Sequence, residues 1–136
     1  TMSKQKQKYF LKDLHDWASW WDIPFKFPST FPVRTVLPLR ITLIVPELIH
    51  AFYRALWVDN RNIGEPEVVN EILLENNKNP QEILAQLPKA KEQLRRNTEE
   101  AISKGVFGVP SMYVDKQLWW GQDRLFDVAK YLTNTQ

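Results

Sequence analysis

The chain has 136 residues, 18 Lys and Arg against 16 Asp and Glu, and 43% hydrophobic residues, the balance of one globular domain with a single core. It has no cysteine, which excludes disulfides, thiolate catalysis and zinc–thiolate sites together. A net charge of +2 is too small to argue for nucleic acid, and no apolar run approaches the roughly 20 residues that span a bilayer. The expectation is a soluble, cytoplasmic protein without a membrane partner.

The first residues are polar and basic, with no apolar core, so they do not read as a secretory signal. Met2 is read as the natural start, with Thr1 extra. Lys4, Lys6, Lys8 and Lys12 read as a solvated helix start rather than a nucleic-acid arm. Over residues 9–21, Phe10, Leu14, Trp17 and Trp21 recur at offsets of four, seven and eleven, which predicts an amphipathic helix with an aromatic stripe. The helix should stop before Pro24, because proline restricts the residue before it and cannot continue the ladder. Pro24, Pro28 and Pro32 then punctuate an extended connector rich in phenylalanine.

The apolar pattern of residues 35–44, interrupted by Pro46 and resumed to residue 58, predicts two helices or one with a kink. Glu65-Pro66-Glu67 supplies a helix start with early proline and acidic residues that complement the macrodipole. Val68, Val69, Ile72 and Leu73 should form its buried face. Asn79 caps a short helix with Pro80 in its first position and Ile83, Leu84 and Leu87 as apolar residues. Residues 88–104 predict a long helix with a wide wet face, ended by Gly105.

Residues 112–114 and 118–120 flank Asp115-Lys116 at hairpin spacing, although Asp-Lys is not the strongest turn pair. Leu125, Val128, Ala129 and Leu132 make the face of a last helix. No internal repeat is found. Two antiparallel strands alone are marginal as a sheet, so they either pack on the helices or pair with strands outside this chain.

Two features carry candidate chemistry. Pro110 precedes the first strand, where proline removes a ladder donor and makes a cis bond far commoner than elsewhere. A cis Val109–Pro110 bond would leave the Val109 N–H and C=O for an extended peptide, whereas a trans bond would make this an ordinary strand start. Gly121-Gln122-Asp123-Arg124 opens the last helix, where unsatisfied N–H groups attract carboxylates. Asp123 there would hold an ammonium, so a ligand with both groups matches the pair; from the sequence alone the plainer reading of Gln122 and Asp123, as capping residues, is the favoured one. Trp119 and Trp120 read as one core and one surface aromatic rather than a substrate platform. His15 and His50 lack metal-ligand spacing, so no metal is expected.

Phe31-Pro32, Thr35-Val36-Leu37-Pro38-Leu39-Arg40, Ala51-Phe52-Tyr53-Arg54-Ala55-Leu56-Trp57 and the run at residues 105–125 occur in an order that resembles one family almost throughout. It is that of the glutathione-dependent DsbA-like proteins, the 2-hydroxychromene-2-carboxylate isomerases and kappa-class glutathione transferases. The resemblance implies an α/β thioredoxin-like fold of the DsbA type with a helical insertion. Residues 1–30 would be an N-terminal helix and proline-rich connector, 31–104 the helical insertion, and 105–136 the C-terminal β-hairpin and final helix. The family's first strand, helix and strand have no counterpart here.

The same resemblance implies a cis Val109–Pro110 bond and glutathione as cofactor, with Val109 and Pro110 aligning its cysteinyl backbone and Gln122 and Asp123 holding its glutamyl end. It implies isomerisation or conjugation of an aromatic organic acid, as in bacterial aromatic degradation, by an incomplete or truncated member. Arg34, a fixed bidentate donor, would steer the acid, although many relatives carry Asn there. The serine that favours the glutathione thiolate in the family has no match: Ser3 lies in the charged tail with no strand before it, so the catalytic residues stay unknown. A second expectation is a non-catalytic interaction module, in which the open hairpin edge recruits another chain as a homodimer or edge-paired oligomer. A basic helical nucleic-acid binder is the least favoured.

Overall fold

The computed structural model describes residues 3–134; Thr1, Met2, Thr135 and Gln136 lie outside them, and with them the reading of Met2 as the start. In chain order the elements are α1 (Lys4–Trp20), α2 (Val36–Ile44), a 3₁₀ turn (Pro46–Leu48), α3 (Ile49–Trp57), α4 (Pro66–Glu75), α5 (Pro80–Leu84), α6 (Leu87–Ser103), β1 (Ser111–Val114), β2 (Gln117–Trp120), a 3₁₀ turn (Gln122–Arg124) and α7 (Leu125–Asn134). The chain separates into two compact units, residues 1–91 and 92–136, with the boundary inside α6.

In the first unit the core is made by Ile41 of α2, Val45 just after it, Leu48, Phe52, Ala55 and Leu56 around α3, Ile63, the α4 face Val69, Ile72 and Leu73, and Ile83 of α5. The break at Pro46 resolves as two helices around a 3₁₀ turn. Helix starts follow their sequence signals. Pro66 stands in the first turn of α4, and the Asn79 side chain accepts a hydrogen bond from the Gln81 N–H at the start of α5. Arg61 forks to Glu71 and Glu75, one turn apart on α4, at 2.9 and 2.8 Å. The Glu75 hydrogen bond leads in raising its pKa against the cost of partial burial.

Helix ends follow a common device less visible in the sequence. At the end of α1 the Ile23 N–H donates to the Ala18 carbonyl and the Asp22 N–H to Ser19; at the end of α4, Lys78 donates to Leu73 and Asn77 to Leu74. Both are Schellman closures, which need a left-handed residue. Asp22 (φ 52°) and Asn77 (φ 57°) supply it, as short polar side chains can. The stop of α1 is therefore set at Asp22, two residues before the proline.

The aromatic stripe of α1 does not become core: no residue of this helix is buried, and Trp17, Trp20 and Trp21 are more than half exposed. The proline-rich connector packs better. Phe25, Phe27 and Phe31 gather around Trp57 with ring centroids 6.0–6.1 Å away, and His15 meets Phe25 edge-on at 5.1 Å.

In the second unit α6 ends at Gly105 (φ 78°), where Val106 donates to Ala101 and Gly105 to Ile102 in a third Schellman closure. β1 and β2 pair antiparallel with Ser111 opposite Trp120 and Val114 opposite Gln117. Asp115 and Lys116 both take positive φ, 48° and 66°, the backbone that a two-residue hairpin loop requires to match strand twist. Side chains alternate across the pleat. Trp119 meets Tyr131 of α7 at 5.2 Å, while the Lys104 ammonium lies 5.3 Å from the Tyr113 ring centroid. Of the predicted α7 face only Val128 is buried; Leu125 and Leu132 are exposed. Among the described residues the sheet has two strands, and no helix is long and apolar enough to cross a membrane.

Leu73 is completely buried and Leu74 is 62% exposed, so adjacent identical residues separate burial from helix propensity. Leu73→Ala should lower unfolding free energy by about 2–5 kcal/mol and Leu74→Ala by about 0.5 kcal/mol, as measured by urea unfolding. Similar losses at both sites would contradict this core.

Candidate functional site

The hairpin register decides what surrounds Val109. With Ser111 opposite Trp120, the next rung outward is a single bond in which the Gly121 N–H donates to the Pro110 carbonyl at 3.0 Å. Pro110 has no N–H to return, so the ladder stops there. The Val109–Pro110 bond is cis. Val109 is 88% exposed, and neither its N–H nor its C=O has a hydrogen-bond partner among the described residues. Ser111 Oγ donates to the Gly108 carbonyl at 2.6 Å, tying the approach loop to the strand.

The same end of the hairpin carries Trp120. Its ring lies 5.1 Å from Phe107, tilted by 56°. Gly108 fits against it: a Cβ at that position would stand 2.5 Å from the indole Nε1 and 3.2 Å from Cε2. Only a residue without a side chain lets the indole lie this close. Trp119 and Trp120 are thus one inward and one outward aromatic, as the sequence suggests.

Beyond the strand, Gly121 has φ 111°, a backbone open chiefly to glycine. The Asp123 carboxylate folds back over it, into the space a Gly121 side chain would need. The Arg124 N–H closes the 3₁₀ turn on the Gly121 carbonyl at 3.2 Å. The Arg124 guanidinium stands 3.6 Å from Asp123 and 3.5 Å from Asp127, with all three side chains about half exposed or more. Pairs this exposed hold weakly, so Asp123 can exchange its partner. The last helix does not open at residue 121: Gln122–Arg124 form the 3₁₀ turn, and α7 starts at Leu125.

Val109, Trp120, Gly121, Gln122, Asp123 and Arg124 together line an open cleft of about 240 Å³. The structure thereby brings Val109, Gln122 and Asp123 together, with Pro110 fixing the rung between them. Sequence reasoning did not place Trp120 and Arg124 in this lining. The available signal for Trp120 was a glycine at 108 beside three bulky residues. A larger cleft of about 420 Å³ lies in the first unit, lined by residues including Glu47, His50, Arg54, Asp59, Arg61 and Glu75. Its charges already pair: Arg61 with Glu75, Arg54 with Asp59, and Glu47 with Lys78 at 2.6 Å. The smaller cleft, with its unpartnered backbone, is the candidate site. Arg34 belongs to the first unit and is not part of its lining, and Ser3 caps α1 by accepting from the Lys6 N–H. Among the described residues no cluster of His, Cys, Asp or Glu could hold a metal ion.

A thioredoxin-type hairpin led by a cis proline, followed by a polar turn and a helix, defines the class of protein. The family model described as DSBA-like thioredoxin domain matches residues 1–133. The chain belongs to this family, among the relatives of 2-hydroxychromene-2-carboxylate isomerases and kappa-class glutathione transferases. It is 30% identical over 137 residues to the 2-hydroxychromene-2-carboxylate isomerase of Sphingobium xenophagum, covering 93% of this chain and 68% of the relative. To glutathione S-transferase kappa 2 of Caenorhabditis elegans it is 33% identical over 152 residues, covering 93% and 66%. A solved 2-hydroxychromene-2-carboxylate isomerase superposes with a TM-score of 0.73 at 22% identity, over 99% of this chain and 71% of that one, which shows the DsbA-like fold. The chain spans about two thirds of the length of these curated relatives.

The contact between Gly108 and the indole yields a local test. Gly108→Ala should displace the ring, because the atoms in the way belong to the rigid indole of Trp120 and not to the backbone; the cost should be about 1–3 kcal/mol. In a nitrogen–proton spectrum the Trp120 indole signal should move while those of the other tryptophans stay. An unmoved Trp120 signal would show that the ring does not rest on Gly108.

Proposed function

We propose that this chain carries the glutathione-holding part of a glutathione-dependent isomerase resembling the 2-hydroxychromene-2-carboxylate isomerases, acting on an aromatic organic acid. The observation that carries this reading is the convergence of the unpartnered Val109 backbone and the Asp123 carboxylate on one cleft. The residues present fit the tripeptide. Val109 offers one donor and one acceptor to an extended backbone, as an added strand would use them. Asp123 offers the anion that an α-ammonium needs, in place of the weakly held Arg124. Gln122 and the N–H groups that open its turn suit the neighbouring α-carboxylate.

Bound there, glutathione would supply a thiolate that adds reversibly to a conjugated carbon, frees the adjoining bond to rotate, and leaves. The cleft residues bind and orient. None of the six residues lining the cleft is a Ser, Cys, Tyr or His, so activation of the thiol is assigned to no residue of this lining. The names of relatives at 30–33% identity support the chemical class.

Asp123→Ala should weaken glutathione binding about tenfold or more, the scale of one hydrogen bond to a charged group. Calorimetric titration of both proteins measures it, and equal affinities would remove the assigned pocket.

A second reading is favoured by the two-stranded sheet. Each strand has an edge without a partner among the described residues, and such edges recruit further chains. In this reading the hairpin pairs with another strand, including that of a second copy. Size-exclusion chromatography with light scattering should then show mass rising with concentration; a strict monomer at high concentration would count against it.

A further inference from the structure

We infer that Trp120 is the wall of the cleft that recognises the aromatic ring of the second substrate, which makes it a specificity-determining residue of this site. The inference rests on the glutathione reading above and goes beyond it by assigning the ring a place. Three observations support it.

First, Trp120 is set apart from its neighbour. Trp119 is half-buried and packs on Tyr131 at 5.2 Å, a structural role, whereas Trp120 is 54% exposed and lines the cleft. Second, the indole is held. Phe107 lies against it at 5.1 Å, and the missing side chain at Gly108 lets its pyrrole edge seat on the backbone. A clamped ring loses little freedom when a second ring stacks on it, so the contact is pre-organised.

Third, the lining divides by chemistry. Gln122, Asp123 and Arg124 are polar or charged, and the Val109 backbone is a peptide-binding edge. Trp120 is the one aromatic surface in the cleft. If the cysteinyl part of the tripeptide runs along Val109, an electrophile at its sulfur meets the indole that lines the same cleft. A planar, conjugated acid stacks there in an offset or edge-on manner. An aliphatic electrophile of similar size gains less.

Two analogues separate the ring from the tripeptide. S-methylglutathione and S-benzylglutathione share the peptide, and only the second places a ring at sulfur. Calorimetry on the full chain should show S-benzylglutathione binding about tenfold tighter. Trp120→Leu should reduce that ratio to below about twofold, with S-methylglutathione binding still measurable as the reference for a folded cleft. Trp120→Phe should keep most of the preference. In the unmodified protein, nuclear Overhauser contacts should connect the benzyl protons to the Trp120 indole, a readout that needs no variant.

Absence of a benzyl preference in the unmodified protein would overturn the assignment, as would a preference that survives Trp120→Leu or benzyl contacts to other residues alone. Failure of both analogues to bind is a different result. It would bring down the glutathione reading itself, and the role of Trp120 with it.

Discussion

The rung between Pro110 and Gly121 is the constraint from which the candidate site follows. Its single hydrogen bond places residue 110 across from residue 121, so Val109 and the turn at 122–124 lie at the same end of the hairpin. Proline makes that rung the last, because it accepts one bond and has no N–H to donate a second. A slip by one residue would turn Trp120 to the face of Trp119 and take Tyr131 away from its ring partner. The two-residue turn at Asp115-Lys116 guards the register from the other end, with both residues in the left-handed region.

From that constraint the cleft inherits its chemistry in a fixed order. A free peptide edge at Val109, an indole face at Trp120 and a polar turn from Gln122 to Arg124 succeed one another. Gly108 and Gly121 flank this arrangement for different reasons: the first leaves room for a ring, while the second adopts a backbone that other residues resist and receives the Asp123 carboxylate over its bare Cα. Small residues here position large and charged ones.

Much of the fold was legible because its signals are local. Pro66, Asn79-Pro80 and Gly105 mark helix boundaries through backbone chemistry that tertiary context rarely overrides, and Val69, Ile72 and Leu73 have the helical spacing of a buried face. The Schellman stops at Asp22 and Asn77 were not read, since polar residues in the left-handed region look like ordinary loop residues in sequence. Periodicity overreached at α1 and α7. It reports which residues share a face, and whether that face is covered depends on long-range packing. In the candidate cleft, Val109, Gln122 and Asp123 were singled out through the family resemblance carried by the proline and the turn that follows β2. Trp120 was not, because strand alternation gives its side of the sheet without saying what lies next to it.

The two units differ in how they are held, and that difference bears on binding. The first has a contiguous core built from four helices, a 3₁₀ turn, Val45 and Ile63, with several residues wholly removed from solvent. From residue 92 onward Val128 alone is buried among the described hydrophobic residues. The hairpin is held instead by ring contacts, by Ser111 on the Gly108 carbonyl and by the Pro110–Gly121 rung. Two strands with so little burial are marginal by themselves. Any molecule that binds the ordered cleft more tightly than the loosened one must therefore stabilise the hairpin in proportion to its own affinity, so order in this unit and occupancy of the cleft are thermodynamically linked.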